Sequence, residues 1–371
     1  MTREEFCAKK EEALASFRVE GKVLSCESYG NGHINDTFLV VCEVPEGQKR
    51  YILQRMNHEI FKKPEELMEN VERVTSFIEK EIRKNGGDVE RETLHIIPTI
   101  EGKGYYKDEI GSFWRMYSFI EGTNSFEKVE KTEDFYQSAY AFGNFQRLLA
   151  DFDAATLAET IPDFHNTPVR YKTFLEAVEA DCKGRAAEVK EEISFFIERE
   201  ADMRLCQEKL EKGELPLRVT HNDTKLNNIL MDKVTGKGLC VIDLDTVMPG
   251  LSIFDFGDSN RFGANTAAED EKDLSKVSLD LELYALYAKG FLEGCGGRLT
   301  EEEVAMMPMG AKDMTLECGM RFLTDYLQGD VYFKIHHEKH NLDRCRTQIA
   351  LVKDMERKWD AMKKLTEEAT K

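Results

Sequence analysis

The residues best suited to chemistry stand close together in this chain. His221-Asn222-Asp223-Thr224-Lys225-Leu226-Asn227-Asn228 reads H-x-D-x-x-x-x-N, and shortly afterwards Val241-Ile242-Asp243-Leu244-Asp245 is an apolar strand ending in acid. One short stretch thus supplies a carboxylate base, an amide oxygen and a second carboxylate. Phosphoryl transfer needs this set, because its loose transition state asks the protein mainly to position groups and neutralise charge. Asp223 would accept the proton of an attacking hydroxyl. Asn228 and Asp243 would offer hard oxygens to Mg²⁺, which takes few protein ligands and fills its shell with water and phosphate oxygens. Either motif alone reads equally well as a polar turn between strands; the ordered pair points to a kinase.

Other motifs compete. Asp255-Phe256-Gly257 spells a magnesium motif of protein kinases, but it falls beyond Asp243, and Asp255 is expected to brace the catalytic loop through backbone amides. Asp243-Leu244-Asp245 is also a D-x-D pattern of glycosyl transfer, a reading that leaves the His221–Asn228 run unexplained. His336-His337-Glu338-Lys339-His340 fails the H-E-x-x-H spacing, so a solvated helix end is expected instead of zinc. His221 is expected to be a structural hydrogen-bonding residue.

Elements must position these groups. The apolar pattern predicts a helix over 6–19, strands over 23–29, 37–44 and 50–54, a helix over 64–82, and strands over 96–100 and 113–119. Gly30-Asn31-Gly32-His33 is the turn between the first two strands, where backbone amides of Gly30 and Gly32 would cover phosphates, with His33 beside them. From Gly122 the pattern becomes helical, with helices over 135–152, 170–212, 271–293, 301–328 and 342–368. The fold class expected is α+β: a two-lobed, protein-kinase-like fold with a small antiparallel β lobe (1–120) and a large helical lobe (121–371). Tyr117 to Gly122 is the natural hinge, which places Tyr117 and Phe119 beside a nucleotide.

The bulk composition narrows the partners. The chain has 371 residues, 41% of them hydrophobic, which suits one large or two globular domains. A net charge of -19 with a pI of about 5.0 argues against nucleic acid and anionic membranes. Nine cysteines, none spaced C-x-x-C, suggest free thiols in a reducing cytoplasm rather than disulfides or a zinc site. The charged N-terminal residues carry no signal core, and no apolar run approaches membrane-spanning length.

Across nearly its whole length the chain resembles the aminoglycoside phosphotransferase and choline kinase superfamily. Its Tyr29–Asn35, Arg218–Met231, Ile242–Gly250, Phe254–Gly263, Glu269–Val277, Glu317–Tyr326 and Arg346–Ile349 stretches are most similar to the N-acetylhexosamine 1-kinases of lacto-N-biose and galacto-N-biose metabolism. The resemblance implies ATP and Mg²⁺ as cofactors and N-acetylglucosamine or N-acetylgalactosamine as acceptor, phosphorylated on the anomeric hydroxyl. It implies Arg321 and Tyr332 as sugar ligands and Phe262 as a cleft wall. Asp325, four residues from Arg321, would either pair with it on the helix surface or join a polar grip on the sugar. A monomer is expected. One departure stands out: Gln54 occupies the strand position where other kinases carry an ATP-gripping lysine, and Glu72 is the helix acid that would pair with it. Arg55 should point to the opposite face of that strand. Two rivals remain: a kinase of the same fold acting on homoserine, choline or an aminoglycoside, and a nucleotide-binding pseudokinase, which only Gln54 favours.

Overall fold

The computed structural model describes residues 2–30, 34–126 and 131–371. Helix α1 (Arg3–Ala15) leads into β1 (Lys22–Ser28), β2 (Asp36–Val44) and β3 (Gly47–Met56). Then come α2 (Pro64–Lys84), the short α3 (Val89–Glu92), β4 (Tyr106–Lys107) and β5 (Phe113–Ser118). The strands form one sheet in the order β1-β2-β3-β5-β4, antiparallel throughout. Strand alternation gives it two faces. Phe38, Val40, Cys42, Tyr51, Leu53, Trp114 and Met116 pack under α1. Phe113 and Tyr117 face the other way, toward the α2 stripe of Leu67, Val71, Val74 and Ile78. That stripe repeats at helical spacing, and Pro64 opens the helix where its missing N–H costs nothing.

The strand expected over 96–100 is absent. Ile96 bridges Tyr117 and Thr99 bridges Phe17, as isolated contacts. Pro98 between them has no N–H to continue a ladder. The two-residue β4 was not foreseen.

The helical lobe starts with β6 (Thr123–Asn124), α4 (Thr132–Leu148), α5 (Thr167–Ala180), α6 (Lys190–Ile197) and α7 (Glu200–Glu211). Strands β7 (Arg218–Thr220), β8 (Ile229–Asp232), β9 (Gly238–Val241) and β10 (Met248–Gly250) carry the motif residues. Helices α8 (Ser252–Gly263), α9 (Leu281–Cys295), α10 (Glu301–Gln328), α11 (His340–Arg357) and α12 (Trp359–Glu368) complete it. The helix expected over 170–212 is three, with Asp181 left-handed at the first break. The helix expected over 342–368 is two, divided at Lys358.

Helix α10 matches its expected span because both ends are signalled: Thr300 and Glu303 form a capping box, and Gly329 closes the helix at φ 100°. It forms the spine of the lobe, buried on most of its surface. Helix α8 was not foreseen. It crosses α10 so closely that a Cβ on Gly257 would lie 2.3 Å from the Gly310 carbonyl oxygen. A second buried cluster joins the lobes, packing Phe113 and Tyr117 of the sheet with Phe145 and Leu148 of α4 and with Leu244 and Val247 beyond β9. Among the described residues no helix is long and apolar enough to cross a membrane.

Candidate active site

The H-x-D-x-x-x-x-N run leaves β7 and enters β8. Strand β7 is fixed by antiparallel pairing with β10. Asp255, on the first turn of α8 and 1% exposed, receives the backbone N–H groups of His221 (2.9 Å) and Asn222 (2.8 Å) and the Gln146 amide (2.9 Å). Its carboxylate is therefore committed to the loop, and none of it faces a metal site. Thr224 Oγ1 donates to the Asp255 carbonyl (2.8 Å), and Thr246 Oγ1 to the His221 carbonyl (2.6 Å). The His221 ring is wholly buried. The Asp223 N–H can only donate, so Nδ1 accepts it (3.3 Å) and Nε2 carries the hydrogen given to the Ile242 carbonyl (2.9 Å). This neutral imidazole is a strut between the two motifs. Asn222 takes φ 65°, a turn that asparagine tolerates better than most residues.

Asp223 emerges from this bracing with its carboxylate partly exposed. Lys225 Nζ lies 2.8 Å from Oδ1, and the Asn228 amide nitrogen donates to the Asp223 carbonyl (2.8 Å) and to Oδ2 (3.2 Å). Burial works against the Lys225 charge, but Asp223 outweighs it and raises the ammonium's pKa. Because the Asn228 nitrogen is spent on Asp223, its oxygen is the atom left for a cation. Asp243 sits in a left-handed turn (φ 59°) after β9. It is ringed by protein yet open to the cleft. That burial, then Asp245 and Asp223, push its carboxyl up to about 6. A carboxylate held out of its easy ionisation range gains from a divalent cation, and one carboxylate with one amide oxygen suits Mg²⁺ completed by phosphates. The donor set fits the expected metal. Among the described residues no cluster of three or more His, Cys, Asp or Glu could hold a metal alone. His340 of the HHEKH run is not a solvated helix end: it is buried and faces Asp270 at 3.1 Å.

On the sheet side, Gly30 takes φ 74° with open space where a Cβ would stand. Gly32 and His33 lie outside the described residues. Tyr117 is buried, its ring 5.2 Å beneath the Arg115 guanidinium. The Phe119 N–H is spent on the Arg50 carbonyl (3.1 Å), so Phe119 has its own carbonyl and its ring to offer, and the ring meets Tyr29 edge-on at 5.9 Å. Gln54 donates to Thr37 Oγ1 (3.1 Å) and accepts from Arg115 Nε (3.0 Å). Arg55 points to the opposite face, 2.6 Å from Asp36.

On the helical side, Arg321 of α10 and Tyr332 come together. The Arg321 guanidinium lies 5.6–5.9 Å from the rings of Phe333, Tyr332 and Phe164. Its acid neighbour is Glu317 (3.6 Å), one turn back, and not Asp325. Asp325 is 2% exposed, and its two oxygens accept the N–H groups of Val331, Tyr332 and Phe333 and the Asn341 amide, at 2.8–2.9 Å. Neither expectation for Asp325 holds as made, because its carboxylate fastens the loop that presents Tyr332. Phe262, on the last turn of α8, is half exposed, and no ring contact joins it to Arg321 or Tyr332 among the described residues.

The sequence reading missed His165, Arg170 and Glu317. His165 Nδ1 meets Glu317 at 3.1 Å, and Nε2 meets the Asn222 carbonyl at 3.4 Å, linking α10 to the catalytic loop. Burial opposes the His165 charge, yet Glu317 raises its pKa. Arg170 lies near Arg321, and its buried Nε has no hydrogen-bond partner. A histidine and an arginine in a loop and helix start carry no spacing signal; only α10 brings them to Glu317. A cavity of about 560 Å³ lined by Phe195, Glu271, Arg346 and Lys353 lies elsewhere on this lobe and includes none of these residues.

A five-stranded antiparallel sheet over a helical lobe, with a carboxylate–amide–carboxylate set between them, is the two-lobed fold of kinase-type phosphotransferases. Residues 25–276 match the model of the phosphotransferase enzyme family, and the chain belongs to that family. Its fold is similar to that of an aminoglycoside phosphotransferase from Alicyclobacillus acidocaldarius, with TM-score 0.62 and 11% identity over 96% of each chain. A microcompartment-associated aminopropanol kinase gives TM-score 0.58 and 15% identity over 96% of this chain and 98% of the other. A choline kinase from Cryptosporidium parvum gives TM-score 0.53 and 14% identity over 91% and 90%.

Proposed function

We propose that this phosphotransferase moves the γ-phosphoryl group of ATP, with Mg²⁺, to the anomeric hydroxyl of an N-acetylhexosamine, giving the sugar 1-phosphate. The observation that carries the chemistry is the Asp223 carboxylate, held by Asn228 and Lys225 beside the open Asp243. Asp223 takes the proton of the attacking hydroxyl. Lys225 stands beside that carboxylate, where its ammonium would neutralise charge on the transferring phosphoryl group. Asp243 and the Asn228 oxygen would hold Mg²⁺, which supplies neutralisation of phosphate charge when bound. Gly30, with open space at its Cβ position, would let the sheet approach the phosphates, and Tyr117 and Phe119 mark the hinge end.

The acceptor side supports an uncharged, oxygen-rich molecule. Arg170 and Arg321 share one acid, Glu317, which His165 also engages. Asp258 is engaged by Arg261 at 3.0 Å. The acids there are already paired, and the orphan Arg170 Nε seeks an oxygen acceptor. A choline or aminoglycoside cation would have to displace Arg321, which itself occupies the space among the rings of Phe164, Tyr332 and Phe333. The structural relatives act on such amines, which keeps a kinase of amino alcohols or aminoglycosides as the rival. All nine cysteines are free thiols, which supports action in a reducing compartment.

The test is ADP release with Mg-ATP across N-acetylglucosamine, N-acetylgalactosamine, glucose, galactose, homoserine, choline and kanamycin, with product position read by ³¹P NMR. A 1-phosphate formed chiefly from the two N-acetyl sugars supports the reading. Turnover confined to an amine acceptor overturns the sugar assignment.

A further inference from the structure

A fully buried ion pair joins the two lobes, and nothing in the reaction above uses it. Arg115, on β5, is 1% exposed and pairs with Asp245, whose side chain is 4% exposed. Asp245 follows the Asp243 turn by two residues. Its other oxygen accepts the Asn35 amide at 2.7 Å, and Asn35 in turn accepts the Asn57 N–H at 2.9 Å. Asn35 lies immediately before β2. Three pieces therefore meet at one carboxylate: the start of β2, β5 and the Asp243–Asp245 segment.

The sequence signal for this cation was on the wrong strand. Gln54 and Arg115 are register partners across β3 and β5, and Thr37 is the partner of Gln54 across β2 and β3. Residues in register share a face, so all three point the same way. The hydrogen-bonded row Thr37–Gln54–Arg115 aims the guanidinium at Asp245. Glu72, the acid of α2, accepts from the Gly104 backbone and forms no ion pair among the described residues. The buried positive charge beside Gln54 thus stands one strand over, on Arg115, and its partner belongs to the opposite lobe rather than to α2.

Burying a charge pair is costly, and its best-attested return is a fixed register between the parts it joins. Here the parts are the sheet that covers the nucleotide and the turn that presents Asp243. Without Arg115, Asp245 would be a third uncompensated carboxylate beside Asp243 and Asp223, where a polyphosphate must also lie.

We propose that Arg115 is a positioning residue for the nucleotide: its pair with Asp245 latches the sheet to the Asp243 turn and cancels the Asp245 charge, so that Asp243 and the sheet meet Mg-nucleotide in register. Arg115 is too enclosed to touch substrate and acts through Asp245. The inference rests on the nucleotide reading above and is independent of the acceptor.

Calorimetric binding of Mg-ADP and, separately, of adenosine separates the two readings. The proteins are the full-length wild type, Arg115→Gln, Asp245→Asn and the double variant. Each single change is expected to weaken Mg-ADP at least tenfold and to leave adenosine within twofold, since adenosine carries no phosphate and needs no metal. The double variant removes both charges and is expected to recover to within threefold of the wild type. Equal loss of adenosine and Mg-ADP would show a general collapse of the sheet and overturn the latch. So would unchanged Mg-ADP binding in either single variant, or a double variant as weak as the singles, as Asp245 acting directly on metal would give. If Arg115→Gln does not fold, Asp245→Asn against the double variant decides by the same criteria. A wild type that fails to bind Mg-ADP at all removes the nucleotide reading itself, a distinct outcome.

Discussion

Asp325→Asn tests how the acceptor pocket is built. The Asp325 carboxylate accepts four hydrogen bonds, two to each oxygen: three from the backbone of residues 331–333 and one from the Asn341 amide. Asparagine keeps one oxygen and turns an NH₂ toward donors, so two of the four lose their acceptor. Hydrogen bonds to a charged group contribute about 1.5–3 kcal/mol each. Tyr332 is 68% exposed, so freed amides on this loop can find water, and the lower end applies. The loop then loses roughly 3 kcal/mol of its closed form, about 100-fold in population at ~1.4 kcal/mol per decade. The KM for N-acetylglucosamine is expected to rise about 10- to 100-fold, with the KM for ATP within about twofold, because the hydrogen-bond partners of the Asp325 carboxylate among the described residues all lie in residues 331–341. At roughly 2–4 °C per kcal/mol the melting temperature falls by under about 12 °C. Steady-state kinetics varying each substrate in turn reads both constants. An unchanged acceptor KM, or acceptor and ATP constants rising together, would refute the assignment of this loop to the acceptor.

Asp255→Asn replaces one of the oxygens that hold the His221 and Asn222 amides, and leaves a buried donor unpaired at a cost of about 1–3 kcal/mol. The kcat is expected to fall at least tenfold with a lower melting temperature, and an unchanged kcat would show that the loop needs no brace. Asp243 is pushed up to about 6, above its ordinary 3.8. A carboxyl with a raised folded pKa contributes stability that is complete below its unfolded pKa and lost as pH rises through the folded one. Without divalent cation, Asp243→Asn should therefore melt above the wild type at pH 7 and level with it near pH 4. Thermal melts across that range check the sign, and a wild type gaining on the variant as pH rises would contradict it.

Much of the catalytic segment was legible because its residues are near neighbours in sequence. Asp223, Asn228 and Asp243 fall within one strand–loop–strand passage, and the local hydrophobic pattern places all three. Helix α10 was legible from its two caps. Helix α8 was hidden by its own packing, since Gly257 is needed where α8 meets Gly310, and Asp-Phe-Gly-Asp-Ser-Asn reads as a turn. Asp325 was misjudged because its partners are backbone amides of a loop, which carry no side-chain signature. Arg115 and Asp245 come from separate lobes, and His165, Arg170 and Glu317 from separate elements. Long-range register joins them, and spacing alone cannot show it.

The central claim is that Asp223 is the base. Turnover of Asp223→Asn with Mg-ATP and N-acetylglucosamine, beside Mg-ADP binding and a thermal melt, tests it most directly. The account predicts a kcat lowered by about 10²- to 10⁴-fold, the range of general-base contributions, with nucleotide affinity and fold retained. Turnover within tenfold of the wild type, in a protein that still binds Mg-ADP, would contradict it.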